Sequence, residues 1–110
     1  MIEEALAGLV DRFNRKVAAN PAIGNELRGV ARTIRIRLTD EHSYCVDLKE
    51  GRLQNLRTEA NGPADLTITT DQATFFGLVQ KEIGPMKALV THKLAIDGSL
   101  EDKLLVRRLL

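Results

Sequence analysis

The chain has 110 residues and a mass of 12.2 kDa, which fits a single domain spanning residues 1–110. Its net charge of +1 argues against a general nucleic-acid binder, and its single cysteine, Cys45, excludes an internal disulfide. Aromatic residues make up only 4% of the chain and tryptophan is absent, so the core has to be built from aliphatic side chains.

The first predicted element is an amphipathic helix. Apolar residues recur at helical spacing from Ile2 to Val17, with acidic residues near the start and basic residues near the end. Asn20-Pro21 is expected to end this helix, because proline disfavours helical geometry in the residue before it. A turn or one short helix follows, as far as Gly29.

The apolar period then changes from about 3.6 residues to 2, which predicts strands. The predicted strands are residues 32–39, 43–48, 52–59, 65–70 and 93–97. Leu53 and Leu56 are out of phase with each other, which indicates a bulge or a twisted edge in the third strand. Gly51 closes a hairpin between the second and third strands.

Each regular strand is apolar on one face and polar on the other, whereas a buried parallel sheet would show continuous apolar runs. The fold class predicted is therefore α+β, with one mainly antiparallel sheet and helices over one face. On the outer face, in water, we expect Cys45, and we expect Arg35 and Arg37 to pair with Asp47 across strands.

Three helices are predicted in the second half of the chain. Thr70 or Asp71 caps the first, which runs to about Gln80. Pro85 suits the first turn of the second, and Ser99 caps the last.

Catalytic and metal-binding signatures are absent from the sequence. His42 and His92 stand alone, without a His or Cys partner at metal-ligand spacing. No phosphate-binding glycine loop and no Gly-x-Ser-x-Gly motif is found. We therefore expect no catalytic residue, no metal site, no cofactor and no enzymatic activity.

The predicted location is the cytoplasm. No apolar run approaches the roughly 20 residues needed to cross a bilayer. The N-terminal segment carries Glu3 and Glu4 and lacks the basic region of a signal peptide. The final Arg-Arg-Leu-Leu is not a peroxisomal Ser-Lys-Leu address.

The segment from Ala64 to Leu109 resembles the sterol carrier protein 2 family of lipid-binding domains. The resemblance rests on Asp65-Leu66-Thr67-Ile68, on Asp71 at a helix start, and on Lys93-Leu94-Ala95-Ile96-Asp97-Gly98 before a final apolar helix. The segments from Gly29 to Asp40 and from Ser43 to Leu53 are similar to the family's first three strands. The resemblance implies a five-stranded sheet, about five helices over one face, and a hydrophobic tunnel between them.

The function implied is non-catalytic carriage of a lipid-like ligand: a fatty acid, a fatty acyl-CoA, or an isoprenoid or sterol-like molecule. Lys81 and Lys87 are predicted to hold an anionic head group. The residues predicted to line the cavity are Phe75, Phe76, Val79, Ile83, Met86, Leu89, Val90, Leu104, Val106 and Leu109.

Two alternatives stay open at this point. The same apolar residues could form an ordinary packed core. The apolar C-terminal helix could instead serve as a dimerisation or protein-interaction surface. The expected partners therefore include a second copy of the chain. Transient contact with a membrane is also expected.

Overall fold

A computed structural model describes residues 2–59 and 61–109 of the chain, with side chains through Val106. The elements in chain order are α1 (Ile2–Ala19), α2 (Pro21–Glu26), β1 (Ala31–Leu38), β2 (Ser43–Lys49), β3 (Arg52–Thr58), β4 (Leu66–Thr70), α3 (Gln72–Val79), α4 (Pro85–Val90), β5 (Leu94–Asp97) and α5 (Leu100–Leu109).

The strands form one sheet in the order β3-β2-β1-β4-β5. Ile34 of the central strand β1 pairs with Val46 on its antiparallel neighbour and with Leu66 on its parallel neighbour. β2 with β3 and β4 with β5 are antiparallel pairs as well. The prediction of a five-stranded, mainly antiparallel sheet in an α+β fold is therefore confirmed, with β1–β4 as its parallel seam.

The core lies between the inward face of the sheet and the helices. Leu6 of α1 and Phe75 of α3 are buried against the alternating apolar residues of the strands, such as Ile34 and Ile36. α1 is also fixed by polar contacts, because the Asn14 side chain accepts from the Leu53 amide at 2.8 Å and donates to its carbonyl at 2.9 Å.

The irregular third strand contains a bulge, as predicted. The pairing jumps from Asp47 opposite Gln54 to Cys45 opposite Arg57, so β3 has one residue more than β2 in this interval. Asn55 takes up the extra residue with a φ of 58°. The bulge resets the alternation, and Leu53 and Leu56 therefore both border the core.

The expectation that the outer face lies in water is wrong at its centre. Arg35 is 7% exposed and Cys45 is 0% exposed. The connection from β3 to β4 covers them: Arg35 donates to the Gly62 carbonyl at 2.7 Å, and the Cys45 thiol lies 3.6 Å from the Glu59 carbonyl. Period alone places these side chains on the correct face but does not reveal a loop folded over it.

The expected pairing of Asp47 with Arg35 and Arg37 is also wrong. Asp47 accepts from Arg57 at 3.2 Å and from Asn55 at 3.1 Å. Burial acts to raise the pKa of Asp47, but these hydrogen bonds outweigh it and hold the pKa below its ordinary value. The bulge brings Arg57 within reach of Asp47, and the sequence does not show this.

The predicted helix starts are confirmed. Asp71 accepts from the Thr74 amide at 2.7 Å at the start of α3. Pro85 occupies the first turn of α4, and the Ser99 hydroxyl accepts from the Asp102 amide at 3.1 Å at the start of α5. These caps satisfy amides that have no partner within their own helix.

Candidate ligand-binding site

A groove with a volume of about 500 Å³ lies between α4, the edge strand β5 and α5. Its wall consists of Pro85, Met86, Leu89, Ile96, Lys103, Leu104 and Val106. Six of these seven residues are apolar and the seventh is a lysine. The volume falls within the roughly 300–1,000 Å³ that is typical of sites for small molecules.

The local sequence explains why α4 forms one wall. Gly84 precedes Pro85, whose fixed φ suits the first helical position, so a new short helix starts at this point. Ala88 is buried, while Met86 and Leu89 border the groove. The Thr70 hydroxyl donates to the Lys93 carbonyl at 2.8 Å and holds the start of β5 against β4.

The opposite wall, α5, is attached through its first turn and its centre. Val106 and Asp102 are buried, and Arg32 Nε donates to Asp102 Oδ1 at 2.7 Å. This bond is the largest cause of a raised pKa for Arg32. Leu104 borders the groove and is more than half exposed.

A second groove, of about 630 Å³, runs along the other side of α5. It is lined by Glu26, Leu27, Val30, Arg32, Glu101, Asp102, Leu104 and Leu105. Leu104 borders both grooves, so α5 forms a partition between an apolar cleft and a charged one.

The interior beneath α1 is closed by side chains. The space there is only about 20 Å³, which holds about one water molecule. It is surrounded by Leu6, Leu9, Val10, Ile34, Ile36, Val46, Leu53, Leu56, Ile68, Phe75 and Leu78. An acyl chain could enter this region only by displacing these residues, and the tunnel stays a prediction.

The structure separates the residues that the sequence grouped into one lining. Met86, Leu89, Leu104 and Val106 border the apolar groove. Phe75 belongs to the closed interior, Phe76, Val79 and Ile83 pack partly buried against the core, and Val90 is largely exposed. The Leu109 side chain lies outside the described part of the chain. The assignment of these residues to a ligand site remains a prediction.

The two lysines predicted to hold a head group, Lys81 and Lys87, are exposed and neither borders the apolar groove. Lys103 does border it, together with Pro85 and Ile96. Sequence reasoning missed these three residues. Lys103 could have been predicted, because it lies three positions before Val106 and residues at this spacing share one side of a helix.

The groove offers dispersion contacts and one positive charge. In the described residues, no group of three or more His, Cys, Asp and Glu side chains could hold a metal ion. No described helix is both long and apolar enough to span a bilayer. The arrangement suits an amphipathic molecule with an apolar tail.

A mixed five-stranded sheet with an apolar cleft between its edge strand and its last helices defines a small α+β domain. The family model of the SCP-2 sterol transfer family matches residues 10–110. The chain therefore belongs to the SCP-2 sterol transfer family. No curated protein matches it.

Solved structures share the fold at low sequence identity. The crystal structure of sterol carrier protein 2 like 2 from Aedes aegypti is 21% identical, with a TM-score of 0.60 over 94% of this chain and 96% of that one. The solution structure of sterol carrier protein 2 from Aedes aegypti in complex with palmitate is 20% identical, with a TM-score of 0.62 over 89% of this chain and 86% of that one.

The same fold also occurs inside a larger enzyme. A stereoselective inverting sec-alkylsulfatase from Pseudomonas sp. is 19% identical to this chain, with a TM-score of 0.63 over 78% of it. The present chain spans only 13% of that sulfatase.

Proposed function

We propose that this protein binds and carries, without catalysis, a lipid whose acyl chain lies in the groove between α4, β5 and α5. The observation that supports the proposal is the groove itself, with its volume of about 500 Å³ and its wall of six apolar residues and one lysine. Family membership and the palmitate complex of the Aedes aegypti protein agree with a fatty acyl ligand. A cytoplasmic location is part of the proposal.

The apolar contacts are strong enough to hold such a ligand. Burying one methylene contributes about 0.8 kcal/mol, so ten methylenes contribute roughly 8 kcal/mol. Association costs at least about 4 kcal/mol in lost freedom of motion. A long acyl chain therefore binds through its tail, and the head group chiefly sets the orientation.

Lys103 is the proposed partner of an anionic head group, because it is the charged residue on the groove wall. A fatty acid carboxylate or the phosphates of an acyl-CoA would then lie at the mouth of the groove. The earlier assignment of this role to Lys81 and Lys87 stays a prediction. An isoprenoid or sterol-like ligand without an anionic group would contact the apolar wall but would form no ion pair with Lys103.

The experiment that tests the proposal is native mass spectrometry of the purified protein, followed by displacement of a fluorescent fatty acid. We expect a stoichiometric adduct of lipid mass and saturable displacement. Leu104→Gln should weaken binding roughly tenfold, since about 1.4 kcal/mol of apolar contact corresponds to that factor. Leu100→Gln is the matched control, because Leu100 lies on the same helix but not on the groove wall.

A clean apo mass together with no displacement would contradict the proposal. A homodimerisation or protein-interaction module would then be the better candidate, supported by the exposed apolar side chains of α4 and α5. A mass that rises with protein concentration in the absence of lipid would identify the homodimer.

A further inference from the structure

The two edge strands of the sheet differ in what keeps them from pairing with another chain. On β3, the Asn14 side chain of α1 is hydrogen-bonded to both backbone groups of Leu53, and the bulge at Asn55 interrupts the regular pairing. Covering groups and bulges are the usual means of protecting a sheet edge. The opposite edge strand, β5, pairs with β4 in an unbroken register through Leu94–Asp97.

The hydrogen bonds of β4 determine which backbone groups of β5 point away from the sheet. The Thr70 carbonyl is turned toward β1, because it accepts at 2.9 Å from the amide of the residue that follows β1. Successive residues of a strand direct their backbone groups to alternate sides, so Thr69 is turned toward its partner Ala95 in β5. The amides and carbonyls of Leu94 and Ile96 therefore point outward from the edge of the sheet.

These outward groups, two amides and two carbonyls, are available to a further strand. Within residues 2–59 and 61–106, none of them has a hydrogen-bond partner. A row of unpaired backbone groups at the edge of a sheet is a template for pairing with another chain. The sequence of β5 indicates which chain this is.

The five residues from Lys93 to Asp97 are complementary to themselves when two copies run antiparallel. Leu94 of one copy then lies opposite Ile96 of the other, and a pair of this kind exchanges both of its backbone hydrogen bonds. In the same register Lys93 lies opposite Asp97, and Ala95 lies opposite Ala95 on the two-fold axis. Lys93, Ala95 and Asp97 are exposed on the outer face, where opposite charges across two strands attract each other.

We infer that β5 pairs in antiparallel orientation with β5 of a second copy, in the register that places Lys93 opposite Asp97. A shift by one hydrogen-bonding step in either direction places Lys93 or Asp97 opposite Ala95, so the charges lose their partners across the strands. A strand of a different protein could use the same backbone groups, but the charge match belongs to this sequence. The paired strands are short, and we therefore expect weak, reversible association. The inference does not depend on the proposed lipid binding.

Pairing of the two β5 strands brings the two apolar grooves together. Leu94 and Ile96 both lie on the inner face of the sheet, so the helices of the two copies are on the same side of one continuous sheet. Ile96 borders the groove, and its neighbour across the paired edge is Leu94 of the second copy. The second copy therefore borders each groove along β5.

Sedimentation velocity over a series of protein concentrations tests the inference. We expect the mass of the wild type to rise toward that of a dimer. Lys93→Asp places acidic side chains opposite each other at both ends of the strand pair and should weaken association roughly tenfold. Combining it with Asp97→Lys exchanges the two charges and should restore association. Arg52→Glu, an exposed site on the other edge strand β3, is the matched charge control and should change little.

Cross-linking tests the register itself. Residues that face each other without exchanging hydrogen bonds have Cα atoms about 4.5 Å apart, which a disulfide can span. Ala95→Cys should therefore give a covalent dimer under mild oxidation, and the buried Cys45 should not compete. Asp97→Cys is the control and should give none, because this position lies two residues from the two-fold axis.

A wild-type protein that stays monomeric at every concentration, with no cross-linked Ala95→Cys, overturns the inference. Association that the exchange of charges does not restore, or that Arg52→Glu weakens as much as Lys93→Asp, would place the contact elsewhere and overturn it too. Displacement of a fluorescent fatty acid separates this inference from the proposed function. A monomer that binds the fatty acid contradicts only the strand pairing, whereas a dimer that binds none contradicts only the lipid-binding proposal.

Discussion

Arg32 on the central strand β1 and Asp102 on the last helix α5 are joined by a hydrogen bond of 2.7 Å between Nε and Oδ1. Asp102 is nearly buried, and its amide is held in turn by the Ser99 hydroxyl. One carboxylate thus fixes the position of α5, the helix that separates the two grooves.

Asp102→Ala should therefore loosen α5. We expect the free energy of unfolding to fall by about 1.5–3 kcal/mol, the usual contribution of a hydrogen bond to a charged group. Release of a bound fluorescent fatty acid should become faster, because α5 is one wall of the groove. Urea denaturation and stopped-flow release measure the two effects. Asp11→Ala, which breaks the exposed pair of Asp11 with Arg15, is the control and should alter neither. Unchanged release in Asp102→Ala would show that the bond does not restrain the helix.

Charge reversal distinguishes the lysines that could hold a head group. Lys103→Glu should weaken binding of a fluorescent fatty acid roughly tenfold, because Lys103 borders the groove. Lys81→Glu and Lys87→Glu should have smaller effects, since neither residue borders it. The corresponding long-chain alcohol, which has no negative charge, should bind all three variants alike. A larger loss for Lys87→Glu would favour the original sequence-based assignment.

The helix cap at Asp71 should make stability dependent on pH in the acid range. Hydrogen bonding from the Thr74 amide is the main cause of the lowered pKa of Asp71 in the folded state. A lowered pKa stabilises the fold fully above the unfolded value of about 3.9, and the contribution is lost as the pH falls through the folded pKa. Asp71→Asn keeps an acceptor but does not titrate. The difference in unfolding free energy between wild type and Asp71→Asn should be constant above about pH 5 and should shift against the wild type below it.

Direct removal of the same cap gives an independent check. Asp71→Ala should cost about 0.5–2 kcal/mol at neutral pH. A pH-independent difference between wild type and Asp71→Asn would show that the carboxylate charge does not contribute.

Gly77 in α3 is predicted not to tolerate a side chain. A Cβ atom at this position would lie 2.5 Å from Cδ1 and 2.8 Å from Cγ1 of Ile83, and the chain turns tightly here because the Gly77 carbonyl accepts from the Ile83 amide at 3.1 Å. Gly77→Ala should lower the free energy of unfolding by about 1–3 kcal/mol through overpacking. Gly8→Ala in α1 is the control: its Cβ meets nothing within 4 Å, so it should stabilise the helix by up to about 1 kcal/mol. Thermal denaturation compares the two, and equal shifts would contradict the steric argument.

The sheet was predictable because, in each regular strand, apolar residues that face the core alternate with polar residues on the other face. Ile34 and Ile36 had to face the core, and the caps at Asp71 and Ser99 follow from local hydrogen bonding. The outer face was less predictable, since the burial of Arg35 depends on a loop that returns from β3. The alternation of residues within a strand does not indicate that a loop folds back over the sheet.

The apolar groove was predictable only in part. Of the residues predicted to line one cavity, Leu104 and Val106 border this groove and Phe75 borders the closed interior; their role in ligand binding stays a prediction. The position of α5 beside the groove depends on the hydrogen bond between Arg32 and Asp102, which are 70 residues apart in the chain. Helical spacing gives the sides of α5 but does not tell which side faces the cleft.

The parallel seam between β1 and β4 has a consequence for the order of folding. β2 and β3 can join β1 as hairpins within about 1–10 μs, but β4 pairs with β1 only after the intervening chain has looped back. Asp65, directly before β4, helps to hold β4 beside β1, because its carboxylate accepts a hydrogen bond from the Thr33 amide at 2.7 Å. Leu66→Ala should therefore slow folding in proportion to its loss of stability, while Val106→Ala on α5, which docks after the seam has closed, should mainly speed unfolding. Stopped-flow refolding would measure both. Until the seam closes, the β4–β5 pair is separate from the other three strands and Arg32 of β1 cannot reach Asp102 of α5, so the groove proposed to take up a lipid is completed only in the last step of folding.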